Sequence, residues 1–336
     1  MKSVALALFG IMTACSASVS PDQQALLDVK KFIQANIDDL ATAVAALQAA
    51  VPAPDADGWN ATADAAALAN MKTEWKKART AYEHIEGAIA VLFPDLDVST
   101  DARYDALIST DADTNLFDDQ GATGIHSIER ILWSDSIPAR VITFESGLPN
   151  YVAARFPSNL AEATDFKNKL CARLVTDVST MKTQFGPLAL DSSAAYRGVI
   201  GSINEQVEKA NLAATGQEES RYAQYTLADM RVNVGAGQVT YQAFQPWLKS
   251  KGGNALDAQI AAGFMRLQNA YAALSGDALP PVPSTWSAMP SAADLATPFG
   301  VLYTAVAAEA DPASAGSLVS AMNQSADLLA IPQLPE

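Results

Sequence analysis

Leu26, Val29, Ile33, Ile37, Leu40, Val44 and Leu47 follow one another at steps of three and four. At 3.6 residues per turn these positions form one apolar stripe, which predicts a long amphipathic helix. Ser20-Pro21-Asp22-Gln23 precedes it. Ser20 can cap, Pro21 suits a first turn and Gln23 can close a capping box. Pro52 and Pro54 end the helix. A second long helix is expected over 61–93, with Pro94 as its stop. Shorter pieces follow over 101–109 and 121–133, separated by an acidic loop over 111–120. Pro138, Pro149 and Pro157 punctuate a less regular stretch.

Ser158 then opens a helix reaching Phe185, and Asp191 opens another reaching Ala214. Gly216 breaks it before a helix over 218–247. Lys251-Gly252-Gly253-Asn254 reads as a turn, with Asn254 capping a helix to Leu274. Four prolines, Pro280, Pro281, Pro283 and Pro290, make a stiff connection. Two last helices are expected over 292–308 and 312–329. Pro298 either kinks the first or marks its true start. Asp311 and Pro312 suit the cap and first position of the second. Strand-like alternation is nowhere sustained. About four substantial helices stand on each side of Pro157. The expectation is an all-α fold of two four-helix bundles, 21–157 and 158–336, packed as one bilobal unit. The 336 residues are 49% hydrophobic, enough for such a core, and only 7% aromatic. Abundant alanine favours helix over sheet.

The first residues read as an address. Lys2 supplies a positive start, residues 4–12 are apolar, and Thr13-Ala14-Cys15 follows. That is a signal peptide over 1–14, too short to span a membrane, which takes about 20 residues. The small residues before Cys15 resemble a bacterial lipobox. Lipidation at Cys15, with 15–20 as a tether, would anchor the protein in the envelope. Ser16 follows, with no acidic inner-membrane retention signal, so the expected place is the periplasmic face of the outer membrane. The alternative is an ordinary signal peptide cut nearby. The other cysteine, Cys171, stands in a helical stretch and reads as a buried, inert thiol.

A net charge of −15 repels phosphate backbones and argues against nucleic acid as a partner. It is compatible with attracting cations, and equally with solubility alone. The sharpest chemical feature is Gly124-Ile125-His126-Ser127-Ile128-Glu129. Positions three apart share a helix face, so His126 and Glu129 can offer lone pairs to one ion. Imidazole plus carboxylate suits iron, zinc, copper or manganese better than calcium. The bland reading is a hydrogen-bonded pair on a helix surface. Glu83 and Glu86, in Tyr82-Glu83-His84-Ile85-Glu86, also share a face. Their repulsion would be relieved by a cation between them; otherwise they are solvated acids. Three carboxylates and one imidazole resemble the ligand supply of metal sites in helix bundles. Asp95 or Asp97, in a loop after Pro94, could reach a metal, and Asp101 could cap the next helix; capping and loop solvation are the plainer roles. Glu218 and Glu219, before Ser220-Arg221-Tyr222, suit the first turn of a helix, where the dipole favours acids. No His-Glu-x-x-His pair, phosphate loop, Cys-x-x-Cys or nucleophile elbow is present.

At these residues the sequence resembles the imelysin-like family, in particular its EfeO/EfeM-type iron-uptake branch. The matching stretches are Tyr82 to Glu86, Asp95-Leu96-Asp97 with Asp101-Ala102-Arg103, Gly124 to Glu129 with Leu132-Trp133, and Gly216 to Tyr222. They stand in the family's order and spacing between about Pro21 and Leu274. His84 replaces an arginine common in that branch, and Ala223-Gln224 stands where Ser-His is frequent. The resemblance implies two helical bundles, an envelope location and a metal site on the His-x-x-Glu motif. It also implies iron delivery to an inner-membrane permease, without the cupredoxin-like domain that some members bear. Family members have further been linked to alginate and to a metallopeptidase label.

The expected function is therefore a non-catalytic, metal-binding lipoprotein of iron acquisition. His126 and Glu129 are the core ligands and Glu83 and Glu86 their partners. Asp97, Asp101, Glu218, Glu219 and Tyr222 are further candidates. The rivals are a metallopeptidase with Glu129 as general base, which the missing His-Glu-x-x-His argues against, and a polysaccharide-binding lipoprotein. Five scattered tryptophans leave the last open.

Overall fold

The computed structural model of the chain describes residues 19–334. The expected signal peptide over 1–14, Cys15 and most of the tether lie outside the described residues. These are helical, with no strand among them. α1 (Pro21–Ala50) and α2 (Ala65–Glu83) are followed by five short helices: α3 (Glu86–Leu92), α4 (Pro94–Asp101), α5 (Tyr104–Ile108), α6 (Gly124–Leu132) and α7 (Ala139–Glu145). α8 (Leu160–Asp165) runs through a π-helical turn, Phe166–Leu170, into α9 (Cys171–Phe185). Then come α10 (Ser192–Ala213), α11 (Thr226–Ser250), α12 (Asn254–Ala272), the single turn α13 (Ala292–Leu295), α14 (Pro298–Ala310) and α15 (Leu318–Leu328).

α1 behaves as its pattern dictates. Gln23 Oε1 accepts a 3.5 Å hydrogen bond from the Ser20 backbone N–H, and Pro21 sits in the first turn. Val29, Ile33, Ile37, Leu40, Val44 and Leu47 are all buried. They face α2, α9 and α11, which pack along α1. α9 also touches α4 and α6, so this helix beyond residue 157 packs with elements that precede it. α10, α11 and α12 pack in succession, and α14 and α15 close against α10 and α12. Cys171 is buried as expected, and burial pushes its thiol pKa up, away from reactivity.

Several boundaries differ from the pattern, and each difference has a local cause. The helix expected over 61–93 breaks at His84 and Ile85. There the chain turns so that α3 can cross α10 at backbone contact: a Cβ on Gly198 would lie 2.1 Å from the Gly87 carbonyl oxygen. Pro94 ends one helix and begins the next, as proline at a first position can. Asp95 and Asp97 thus lie in the first turn of α4 and not in a loop. Asp101 closes α4 and does not cap the following helix. Residues 218–225 form an irregular turn, so Glu218 and Glu219 are not in a helical first turn, and α11 starts only at Thr226. Asn159 caps α8, accepting from the Glu162 N–H at 3.0 Å, one residue past the expected Ser158. Asn254 is the first residue of α12 and Gly253 its cap. Pro298 marks a true start, with the Thr297 hydroxyl accepting from the Gly300 N–H at 3.1 Å. The final helix starts at Leu318, because Ser317 and not Asp311 caps it, accepting from the Ser320 N–H at 3.1 Å. No described helix is long and apolar enough to cross a membrane.

Candidate metal centre

Two buried cations organise the middle of the molecule. Arg79 lies on the face of α2 that also buries Trp75, Ala78 and Tyr82, and its exposure is 0%. Its guanidinium pairs with Glu83 one turn on and with Asp101 at the end of α4. It also reaches Glu219 at 2.6 Å and Asp229 on α11 at 3.4 Å. Lys209, on α10, places Nζ 3.2 Å from both Glu83 and Glu86 and 2.6 Å from Glu219. The cation that stands between Glu83 and Glu86 is thus the Lys209 ammonium. The Asn233 amide adds hydrogen bonds of 3.2 Å to Glu83 and 2.8 Å to Glu86. The helix break at His84 leaves both carboxylates facing this point.

His126 enters from α6. Gly124 starts that helix with φ +89°, and a Cβ there would lie 2.5 Å from the Thr100 carbonyl oxygen. The bare glycine lets the start of α6 rest on the end of α4, which brings His126 beside Asp101. A Gly124→Ala variant combines a left-handed backbone with an overlap against backbone. It is expected to lose about 2–4 kcal/mol, read by urea unfolding, and to displace the imidazole from Asp101. A loss under about 0.5 kcal/mol would show that α6 can move off α4 freely.

The His-x-x-Glu spacing does put both side chains on one face. His126 Nδ1 lies 2.7 Å from Glu129 Oε2. The other Glu129 oxygen accepts two backbone N–H groups, from Tyr222 at 2.9 Å and Ala223 at 2.7 Å. Glu129 therefore stands behind the imidazole and fixes its orientation. The opposite ring nitrogen, Nε2, is buried with no hydrogen-bond partner, 3.6 Å from Asp101 Oδ1. Asp101, His126 and Glu219 offer ligand atoms all within 4.8 Å of one another, and so do Glu83, Glu219 and Asp229. The remaining sequence candidates are engaged elsewhere. Glu218 pairs with Arg140 and accepts from Gln224 at 3.1 Å. The Tyr222 hydroxyl donates to Glu145, which Arg130 also holds at 3.0 Å. Asp97 accepts from the Tyr82 hydroxyl.

The electrostatics suit a cation. Burial, with Arg79 beside it, pushes the His126 pKa well below its ordinary value and keeps the ring neutral. Burial opposes ionisation of Glu219, but Lys209 and Arg79 outweigh it and hold its pKa well below the carboxylate range. Burial drives Asp101 well up despite Arg79, and raises Asp229 to about 7. A cleft of about 230 Å³ leads to this cluster, with Glu208 at its exposed rim and Asp97, Asp101 and Glu219 within. Arg103 and Lys209 also line it, but its six acidic residues outnumber them, and a net acidic lining concentrates cations.

Sequence reasoning missed Arg79, Lys209, Asp229 and Asn233. Arg79 had a signal: it falls on the buried stripe of α2, four residues before Glu83, where an unpaired guanidinium could not be buried. Lys209 likewise interrupts a buried stretch of α10 beside Ala210 and Gln206. Nothing local marks Asn233.

Comparison with known proteins agrees with this architecture. The family model described as imelysin matches residues 33–324. The iron uptake system component EfeO of Escherichia coli K12 is 27% identical over 248 residues, 74% of this chain and 53% of that protein. The EfeO proteins of Shigella flexneri and of E. coli CFT073 match to the same extent. The chain thus spans about half the length of the curated relatives it matches. A family match across most of the chain, on an all-helical fold, places this protein in the imelysin family.

Proposed function

We propose that this chain binds a single transition-metal ion, iron first and manganese, zinc or copper as alternatives, and hands it on within an iron-uptake system. The observation that carries this is His126 Nε2, a buried nitrogen without a partner that faces Asp101 and Glu219 at the base of an acidic cleft. With the shared proton on Nδ1, held by Glu129, Nε2 presents its lone pair; a carboxylate behind a ligating imidazole is the usual orienting device. One imidazole with two carboxylates suits iron and manganese chemically. On this reading His126, Asp101 and Glu219 are the ligands and Glu129 is a positioning residue, with Glu83 and Glu86 outside the first coordination sphere. Binding and not hydrolysis is favoured, because both Glu129 oxygens are engaged and it offers no free base to a water. The likeness to EfeO supports the iron-uptake setting. The periplasmic site, the lipid anchor at Cys15 and a permease partner belong to the same proposal.

The test is metal uptake by the chain from Ser16 onward, beside His126→Ala and Glu129→Gln. The wild type should take up about one ion. Loss of a ligand in His126→Ala should weaken binding at least about a hundredfold, and loss of the orienting carboxylate in Glu129→Gln about ten- to a hundredfold. A wild type that takes up no ion, with acidic glycan bound instead, would move the assignment to polysaccharide binding.

A further inference from the structure

We infer that Lys209 is a built-in cation occupying a second metal position, and that it holds the centre to one ion where its carboxylates would otherwise hold two. The inference rests on the proposed function for the first position and adds a determinant of stoichiometry. Lys209 Nζ has three protons to donate, and it faces three carboxylates, Glu83, Glu86 and Glu219, at 2.6–3.2 Å. Its side chain is 5% exposed. Carboxylates collected around one buried point are the ligand set that hard divalent ions take. Two independent observations point to cations here and not merely to clustered acid. One is the ammonium itself, buried at the centre of the cage. The other is His126 Nε2, fully buried and unpartnered, aimed at the carboxylate pair that includes Glu219.

Glu219 is the hinge of the argument. One of its oxygens faces Arg79 on the His126 side and the other faces Lys209. A carboxylate in that position bridges paired ions in two-metal sites. Here the second partner is a tethered monovalent charge, which is always present and needs no capture from solution. A free ion reaching the cleft is thus left with the position beside His126, where Arg79 shares Asp101 and Glu219, because the neighbouring position is already filled. The all-oxygen cage would select Mn2+ or another hard ion, whereas the first position adds a nitrogen ligand.

The test is a Mn2+ titration of the full chain by calorimetry, with electron paramagnetic resonance to detect coupled ion pairs. Wild type and Lys209→Arg, which keeps the charge, should each bind one ion. Lys209→Gln should bind two, with the exchange-broadened spectrum of a pair. Adding His126→Ala to Lys209→Gln should reduce two ions to one, while His126→Ala alone reduces one to none. A Lys209→Gln chain that binds one ion with wild-type affinity overturns the inference, and so does a second ion in Lys209→Arg. If wild type binds none and Lys209→Gln binds one, the His126 site fails and the caged position stands. Lys209→Gln or Lys209→Met leaves three acids without their partner, so folding is followed by circular dichroism. A chain unfolded without metal should fold in Mn2+, and one that stays unfolded in Mn2+ overturns the inference.

Discussion

Arg79→Met is expected to destabilise the metal-free protein by about 3–5 kcal/mol, the effect of removing one partner from a buried ionic cluster. Methionine keeps an unbranched apolar chain in place of the arginine stem and ends where the guanidinium begins, so the loss is mainly that of the charge and its hydrogen bonds. The guanidinium meets Glu83, Asp101, Glu219 and Asp229. Without it Lys209 still faces Glu83 and Glu219, while Asp101 and Asp229 lose the cation they pair with. Against a typical total stability of about 5–15 kcal/mol, such a loss brings the fold close to its limit. Arg79→Lys should recover little, because a single ammonium cannot reproduce a planar fork that reaches four elements at once. Metal offers a sharper control. An ion bound between Asp101, His126 and Glu219 restores positive charge, so saturating Mn2+ should return a larger share of stability to Arg79→Met than it adds to wild type. Urea unfolding with and without Mn2+ measures both. A deficit below about 1 kcal/mol would mean that the carboxylates simply take up protons and that Arg79 is not what holds the centre together.

The all-helical fold was legible because its evidence is periodic and long-ranged: the α1 stripe from Leu26 to Leu47 repeats over about six turns, and Pro52, Pro94 and Pro298 stand at helix boundaries. The centre was legible only in part. His126, Glu129, Glu83 and Glu86 were visible because pairs three apart share a face in any helix. What they touch is a tertiary fact. The spacing could not tell that Glu129 would be consumed by the Tyr222 and Ala223 backbone. Nor could it tell that the cation between Glu83 and Glu86 would come from α10, more than a hundred residues away. Asp101 and Glu219 were named on resemblance and fall beside His126 through tertiary packing that no local pattern holds; for Asp101 that packing is the contact of Gly124 with Thr100. The break at His84 was missed because the apolar spacing runs on through it; the Gly87–Gly198 crossing, which demands it, pairs residues from distant segments.

Acidity should act on the metal-free and metal-bound protein in opposite directions. Burial raises the carboxyl pKa of Asp101 and Glu86 well above the usual range, and puts Asp229 and Glu205 near 7. A carboxyl whose folded pKa exceeds its unfolded value of about 4 binds more protons folded than unfolded between the two, so it makes stability fall as pH rises. His126 works the other way, since its folded pKa lies below its unfolded value of about 6.5. It favours the fold fully above that value and less below it. Glu219 is held low, so its contribution is complete above about 4.5 and is lost only in stronger acid. Between pH 5 and 7 several carboxyls oppose one imidazole, and the metal-free chain should be more stable at pH 5. A bound ion requires Asp101 ionised and His126 neutral, so at least one proton must leave on binding. Each displaced proton is worth about 1.4 kcal/mol per pH unit, so affinity for Mn2+ should rise about a hundredfold or more from pH 5 to pH 7. The thermal shift produced by saturating Mn2+ should therefore be small at pH 5 and large at pH 7. An equal shift at both would mean that Asp101 is already ionised in the metal-free protein, or that the ion binds elsewhere; His126→Ala, which removes the shift only if the ion sits beside that ring, separates the two.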